Sequence, residues 1–135
     1  MIHQAIFSLL TENEAVAALV DTRVYPAERI PQQAIYPLIT YRHLDDSYRG
    51  FTLDGPDGLV QSTFIINSFA RTQQAALELA DAVRLAINGY YGQGSTWDEI
   101  EAIMLRSQGD IPQYDVLATA QLDGVEQQYL VSYNE

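Results

Sequence analysis

The apolar positions of the chain change period between Gly58 and Gly92. Leu59–Phe69, LVQSTFIINSF, is rich in β-branched and aromatic residues and predicts a long central strand. Gln73–Asn88 then has helical spacing. Ala76, Leu79, Ala80, Val83 and Ile87 form one stripe, while Gln74, Glu78, Asp81, Arg84 and Asn88 fall elsewhere. Thr72 stands where a hydroxyl can accept a bond from an early unpaired backbone N–H. Gly89 stands where a left-handed residue can close the helix. A strand, a short turn and a helix of about four turns imply that the helix lies back on a sheet and buries its stripe there. Phe64 and Ile66 are expected on one strand face, with Val83 and Ile87 buried opposite them.

The other segments follow the same logic. Ile2, Ala5, Ile6, Leu9 and Leu10 have helical spacing. Thr11 and Glu14 fit a capping box, which predicts a break or kink there and a short second helix from Ala15 to Leu19. Asp21–Pro37 is punctuated by Pro26, Pro31 and Pro37. Within it Arg23–Tyr25 suggests a short edge strand, because Pro26 cannot donate to a ladder, and Ala27–Ile35 reads as a surface loop. Leu38–His43 alternates as a strand. Asp45–Gly58 has little regular pattern and reads as a long, hairpin-like excursion between two antiparallel strands. Beyond Gly92, Trp97–Glu99 opens a strand or a helical turn, Glu101–Arg106 is strand-like and Ser107–Gln113 reads as a loop. Val116–Leu122 and Val125–Tyr133 flank Asp123-Gly124, a dipeptide that favours a tight hairpin turn. Val125, Gln127, Tyr129, Val131 and Tyr133 share one face of the last strand. The expected fold is α+β: an antiparallel sheet of about four main strands with helices packed on one face.

Composition narrows the function more than the fold. The 135 residues suit a single domain, residues 1–135, able to bury a core without a staple. There is no cysteine, so disulfides and thiol chemistry are excluded. No apolar run approaches the ~20 residues of a membrane helix, and the start MIHQ lacks the basic residues of a signal peptide. A protein that stays in the compartment where it is made is the expectation. Net charge is −11, and all 7 cations are arginine. Gly89 onward holds 8 of the 18 acids and only Arg106 among the cations. That argues against phosphate-neutralising nucleic-acid binding, which needs clustered Lys and Arg.

Candidate chemistry is sparse. His3 and His43 are far apart in sequence, and neither has a second ligand at metal spacing. His43 with Asp45 and Asp46, beside Tyr41, is one possible acid–base or metal cluster; a strand-end histidine beside a solvated acidic loop fits the same residues. Asp54-Gly55-Pro56-Asp57-Gly58 lacks the alternating ligands and closing Glu of a calcium loop. Gly89–Gly94 follows a helix rather than a strand, unlike a phosphate loop. No catalytic set, cofactor or tightly bound metal is expected.

Several residues in order resemble a known family. Arg23-Val24-Tyr25-Pro26, Pro31-Gln32, Tyr36–Tyr41, Leu53–Pro56 and Ala75–Gly92, the last with Leu79-Ala80-Asp81-Ala82-Val83-Arg84, are similar to the tail-completion, or tail-terminator, proteins of long-tailed bacteriophages. The resemblance covers about residues 1–92; the C-terminal third departs from it. It implies the same α+β fold and a virion structural role without enzymatic activity. The implied assembly is a ring, commonly a hexamer, at the head-proximal end of the tail tube. Such a ring ends the tube and joins it to the head connector or stopper protein, in the neck of a particle assembled in the host cytoplasm. DNA passes through the channel without specific binding, and an acidic wall suits that passage. On this reading Asp45, Asp46, Arg49, Phe51 and Asp54 of the long excursion are candidate subunit contacts, because a cation and an aromatic among acids are residue types suited to interfaces. Two rival readings are a small α+β enzyme with a site near His43 and an acidic DNA mimic that occupies a basic nucleic-acid-binding site.

Overall fold

A computed structural model describes residues 2–21, 23–26, 35–48, 51–52, 55–56, 59–92, 100–111 and 122–134. Two N-terminal helices, α1 (Ile2–Glu12) and α2 (Glu14–Val20), precede strands β1 (Val24–Pro26) and β2 (Leu38–Tyr48). Two short strands, β3 (Phe51–Thr52) and β4 (Gly55–Pro56), lead to β5 (Leu59–Ala70). Helix α3 (Gln73–Ile87), β6 (Ile100–Asp110) and β7 (Asp123–Asn134) complete the order. The fold is α+β, as the periodicities predict. The main sheet has 5 strands in the order β1-β2-β5-β7-β6, rather than four. The fifth strand is β1, the short edge strand of the sequence, and it runs parallel to β2 while every other neighbour is antiparallel.

One face of the sheet carries the main core. Phe64 and Ile66 of β5 and Tyr129 and Val131 of β7 pack with Ile6 and Leu10 of α1, Val16 of α2, and Leu79, Val83 and Ile87 of α3. All three helices therefore lie on that face, and the stripe of α3 is buried as its spacing requires. Thr72 caps α3 as expected, its Oγ1 accepting from the Ala75 N–H at 3.1 Å. Val125, Gln127, Tyr129, Val131 and Tyr133 are all buried, and Glu126, Gln128, Leu130 and Ser132 between them are half-buried.

Four local expectations are corrected. The break between the first helices lies at Asn13, whose side chain accepts from the Val16 N–H at 3.1 Å. Thr11 remains inside α1 and donates to the Phe7 carbonyl at 2.9 Å, so the Thr11–Glu14 capping box does not form. β2 does not stop at His43: after a bulge between His43 and Asp45 it continues to Tyr48, paired with Val60. Asp45–Tyr48 has poor strand propensity, but β5 offers a continuous ladder of hydrogen bonds that outweighs it. β6 likewise continues through Asp110, where a loop was expected. Asp123-Gly124 is not a turn; Asp123 pairs with Ala70 and Gly124 with Phe69. A Cβ at 124 would stand 2.8 Å from Ile111 Cδ1 and 3.1 Å from the Phe69 ring, so glycine is the residue that fits there without either neighbour shifting. The expected strand over 116–121 and the Trp97–Glu99 element lie outside the described residues.

Backbone strain is concentrated at Asp21. It ends α2 with φ 54 and ψ −117, and its N–H donates to the Ala17 carbonyl. Glycine adopts that region readily and other residues do so at a cost of about 1–3 kcal/mol. Asp21→Gly is therefore expected to raise the stability of the monomer by about 1 kcal/mol, read as an increase in thermal or denaturant midpoint. Val83→Asp places an unpaired charge in the main core at a cost of several kcal/mol. Against a total of ~5–15 kcal/mol that variant should be largely unfolded by circular dichroism. A native melting curve for Val83→Asp would show that the α3 face is assigned wrongly.

Candidate functional site

The long excursion is mostly ladder. Asp45 and Asp46 are in β2, opposite Thr63 and Ser62 of β5. Past the Tyr48–Val60 pair, a small second ladder joins Phe51 to Pro56 and Thr52 to Gly55. Arg49 and Asp54 lie outside the described residues. The candidate contacts therefore divide between the main sheet, which holds Asp45 and Asp46, and the hairpin tip, which holds Phe51.

Near the possible acid–base cluster, Tyr41 and His43 are on the helix-bearing side of β2, opposite Ile66 and Phe64 of β5. The His43 ring is half-buried, its centroid 5.0 Å from that of Phe64. Among the described residues no group of three or more His, Cys, Asp or Glu is placed to hold a metal. A small cavity of about 170 Å³ lies elsewhere, between the start of α3 and the ends of β6 and β7, lined by Gln73, Asp110, Ile111 and Gly124. Gln73 donates to Asp110 across it at 3.4 Å.

A buried polar network joins helix and sheet. Gln127 of β7 is fully buried, and its Nε2 donates to the Ala80 carbonyl of α3 at 3.0 Å and to Gln108 Oε1 of β6 at 2.8 Å. Its Oε1 accepts from the Tyr129 hydroxyl at 3.0 Å. Both amide hydrogens and the amide oxygen are used, which is what makes a buried glutamine tolerable. Burial pushes the Tyr129 phenol well above its ordinary value, and the positive charge of Arg84 opposes that shift. The sequence signal for this network was a single amide on an otherwise apolar strand face.

The two edges of the sheet differ. At the β6 edge the chain leaving α3 adds a partial cover. Gly89 N–H donates to the Ile103 carbonyl at 2.7 Å, Ile103 N–H to the Tyr90 carbonyl at 3.2 Å, and Leu105 N–H to the Asn88 side chain at 2.9 Å. Gly89 makes that departure with φ +84. Beyond Leu105 a bulge leaves Arg106 without a register partner, and its side chain is exposed. Tyr91 is 78% exposed and Met104 54%. At the β1 edge, Arg23 Nε donates to the Pro37 carbonyl at 2.9 Å and Arg71 stands 5.4 Å from the Tyr36 ring centroid. Those two contacts hold the segment that carries Ile35, which is 66% exposed.

These features describe a scaffold with distinct outer surfaces, of the α+β class in which helices cover one face of a mostly antiparallel sheet. The family model for tail completion protein gp17 matches residues 4–113, and the chain belongs to that family. It is a structural protein of the bacteriophage tail, as the ordered pieces in its first 92 residues suggest, and the match runs further, past the end of β6. Nineteen chains of solved structures match the fold. One is from the virion of a native gene transfer agent (GTA) particle, with a TM-score of 0.75 and 16% identity, covering 96% of this chain and 92% of that one. At that identity the likeness establishes a common fold. No curated protein matches the chain.

The Tyr129 shift gives a pH prediction. A phenol kept neutral in the fold is free to ionise in the unfolded chain above about pH 10. The unfolded state then binds fewer protons than the folded state, so stability is complete below that pH and falls as pH rises through it. Tyr129→Phe should flatten this alkaline loss. Denaturant melts of both proteins between neutral and alkaline pH measure the difference in slope.

Proposed function

We propose that the protein assembles, as a single-domain subunit, into a ring at the head-proximal end of the tail tube. The ring ends tube growth and joins the tube to the connector or stopper protein of the head. Membership of the tail completion protein gp17 family carries this reading. The charge supports it: a −11 subunit with one cation beyond Asn88 suits a wall along which a polyanion slides without sticking. On this reading the protein has no catalytic activity and no cofactor. It acts in the neck of the virion after assembly in the host cytoplasm, with six subunits as the expected ring size.

The tip of the β2–β5 hairpin is the part of this reading that sequence chemistry singles out. Arg49 and Phe51 offer one cation and one aromatic anchor, and Asp45, Asp46 and Asp54 of a neighbour offer acids to receive the cation. The contacts of a ring are head to tail, so one weakened patch recurs at every interface. Arg49→Glu with Phe51→Ser is expected to lower assembly while leaving the circular dichroism and melting of the subunit nearly unchanged. Light scattering after size exclusion measures assembly, and electron microscopy of tubes mixed with the protein locates it. Wild-type protein that stays monomeric and leaves tube ends bare would remove the ring reading. Equal oligomers for wild type and variant would remove only the hairpin tip.

A further inference from the structure

We propose that neighbouring copies meet edge to edge, with Arg106 on the β6 edge of one copy paired to Asp21 on the β1 edge of the next. This contact rests on the ring reading and names the surfaces that close it. A head-to-tail contact needs two different patches on well-separated parts of one subunit. The strand order β1-β2-β5-β7-β6 supplies them, because β1 and β6 are the two ends of the main sheet.

The β6 patch is built around a bulge. The register shifts between Leu105 and Ser107, so Arg106 drops out of the alternation and its side chain is aimed outward. Bulges occur at sheet edges where a side chain is redirected. Arg106 is exposed, and its guanidinium has no hydrogen-bond or ion-pair partner among the described residues. It is also the one cation in a stretch that holds 8 acids. Met104, two residues earlier in β6, and Tyr91, in the segment that covers the first half of β6, are both more than half exposed along this edge.

The opposite patch has the matching charge. Asp21 is exposed at the turn from α2 into β1, and it holds a positive φ that glycine would adopt without strain. Among the described residues its carboxylate has no hydrogen-bond or ion-pair partner, so it is free to receive a cation from outside the subunit. Leu19 of α2 and Ile35, two residues before Pro37, are exposed apolar residues near this edge, and Arg23 bonds the Leu19 and Pro37 carbonyls. Each edge therefore carries one unpaired charge and two exposed apolar side chains, and the charges are of opposite sign. A second copy of the same chain is the occupant that fits both.

The test is a charge exchange. Asp21→Arg and Arg106→Asp should each raise the concentration needed for assembly by about tenfold or more, because like charges then meet at every interface. The double variant, with both changes, should recover most of that loss. Asp21→Gly guards against a folding defect: it should melt higher than wild type yet assemble less well, a split that a merely structural role for Asp21 does not produce. Circular dichroism confirms folding in each case, and light scattering reads the oligomer. Single variants that assemble like wild type, or a folded double variant no better than the singles, overturn the edge contact and leave the ring reading standing. Wild-type protein that stays monomeric and does not cap tubes overturns both.

Discussion

One buried amide determines how helix and sheet fit together. Gln127 lies in β7, between Ile66 of β5 and Gln108 of β6, and its side chain reaches up to a mid-helix carbonyl of α3. A slip of β7 by two residues would keep Val125, Tyr129 and Val131 on the core face but carry Gln127 away from Ala80 and Gln108, leaving a buried amide unsatisfied. The cost of a stranded polar group in a low-dielectric interior is larger than the small net gain of a satisfied one. The network therefore selects one register among alternatives that Val125, Tyr129 and Val131 alone would tolerate. Helix position, strand register and the orientation of Tyr129 follow from the same set of bonds.

With the centre so constrained, variation is left to the periphery. β5 is paired on both sides along nearly its whole length, and β7 is too, so neither offers backbone groups to a partner. Unpaired strand edges are a liability that proteins cover or break up. β6 is covered over its first half by residues 88–92 and broken beyond Leu105 by a bulge. β1 is three residues long and ends in a proline. Both treatments discourage open-ended sheet extension while leaving side chains in view. That is a suitable condition for a structural protein whose contacts with its partners have to be specific.

The elements legible in the sequence are those whose side chains carry the period. The α3 stripe, its Thr72 cap and the β7 alternation are read directly from residues that face the core. Elements held by the backbone were not legible. Asp45–Tyr48 is strand because β5 pairs with it, and no local residue preference says so. Asp123-Gly124 shows how one motif can have two physical causes: the glycine is selected by the crowding of Ile111 and Phe69, not by a turn. Thr11 and Asn13 are both capping residues in type, and only the helix geometry distinguishes them. Of the candidate contacts, Asp45, Asp46 and Phe51 were legible as chemistry without their place in the ladders. Arg106 was legible as the lone cation of an acidic stretch, but its bulge and the strained φ of Asp21 have no signature in a single sequence.

The main ladder between β2 and β5 closes at the Tyr48–Val60 pair. Every strand of the main sheet therefore lies before residue 49 or after residue 58. The length of the stretch between them is not dictated by the core. Doubling a connection of this kind adds only about 0.6 kcal/mol of closure entropy. Insertions, fused tags or wholesale exchange of this segment can thus alter what the subunit presents without retuning the sheet that presents it.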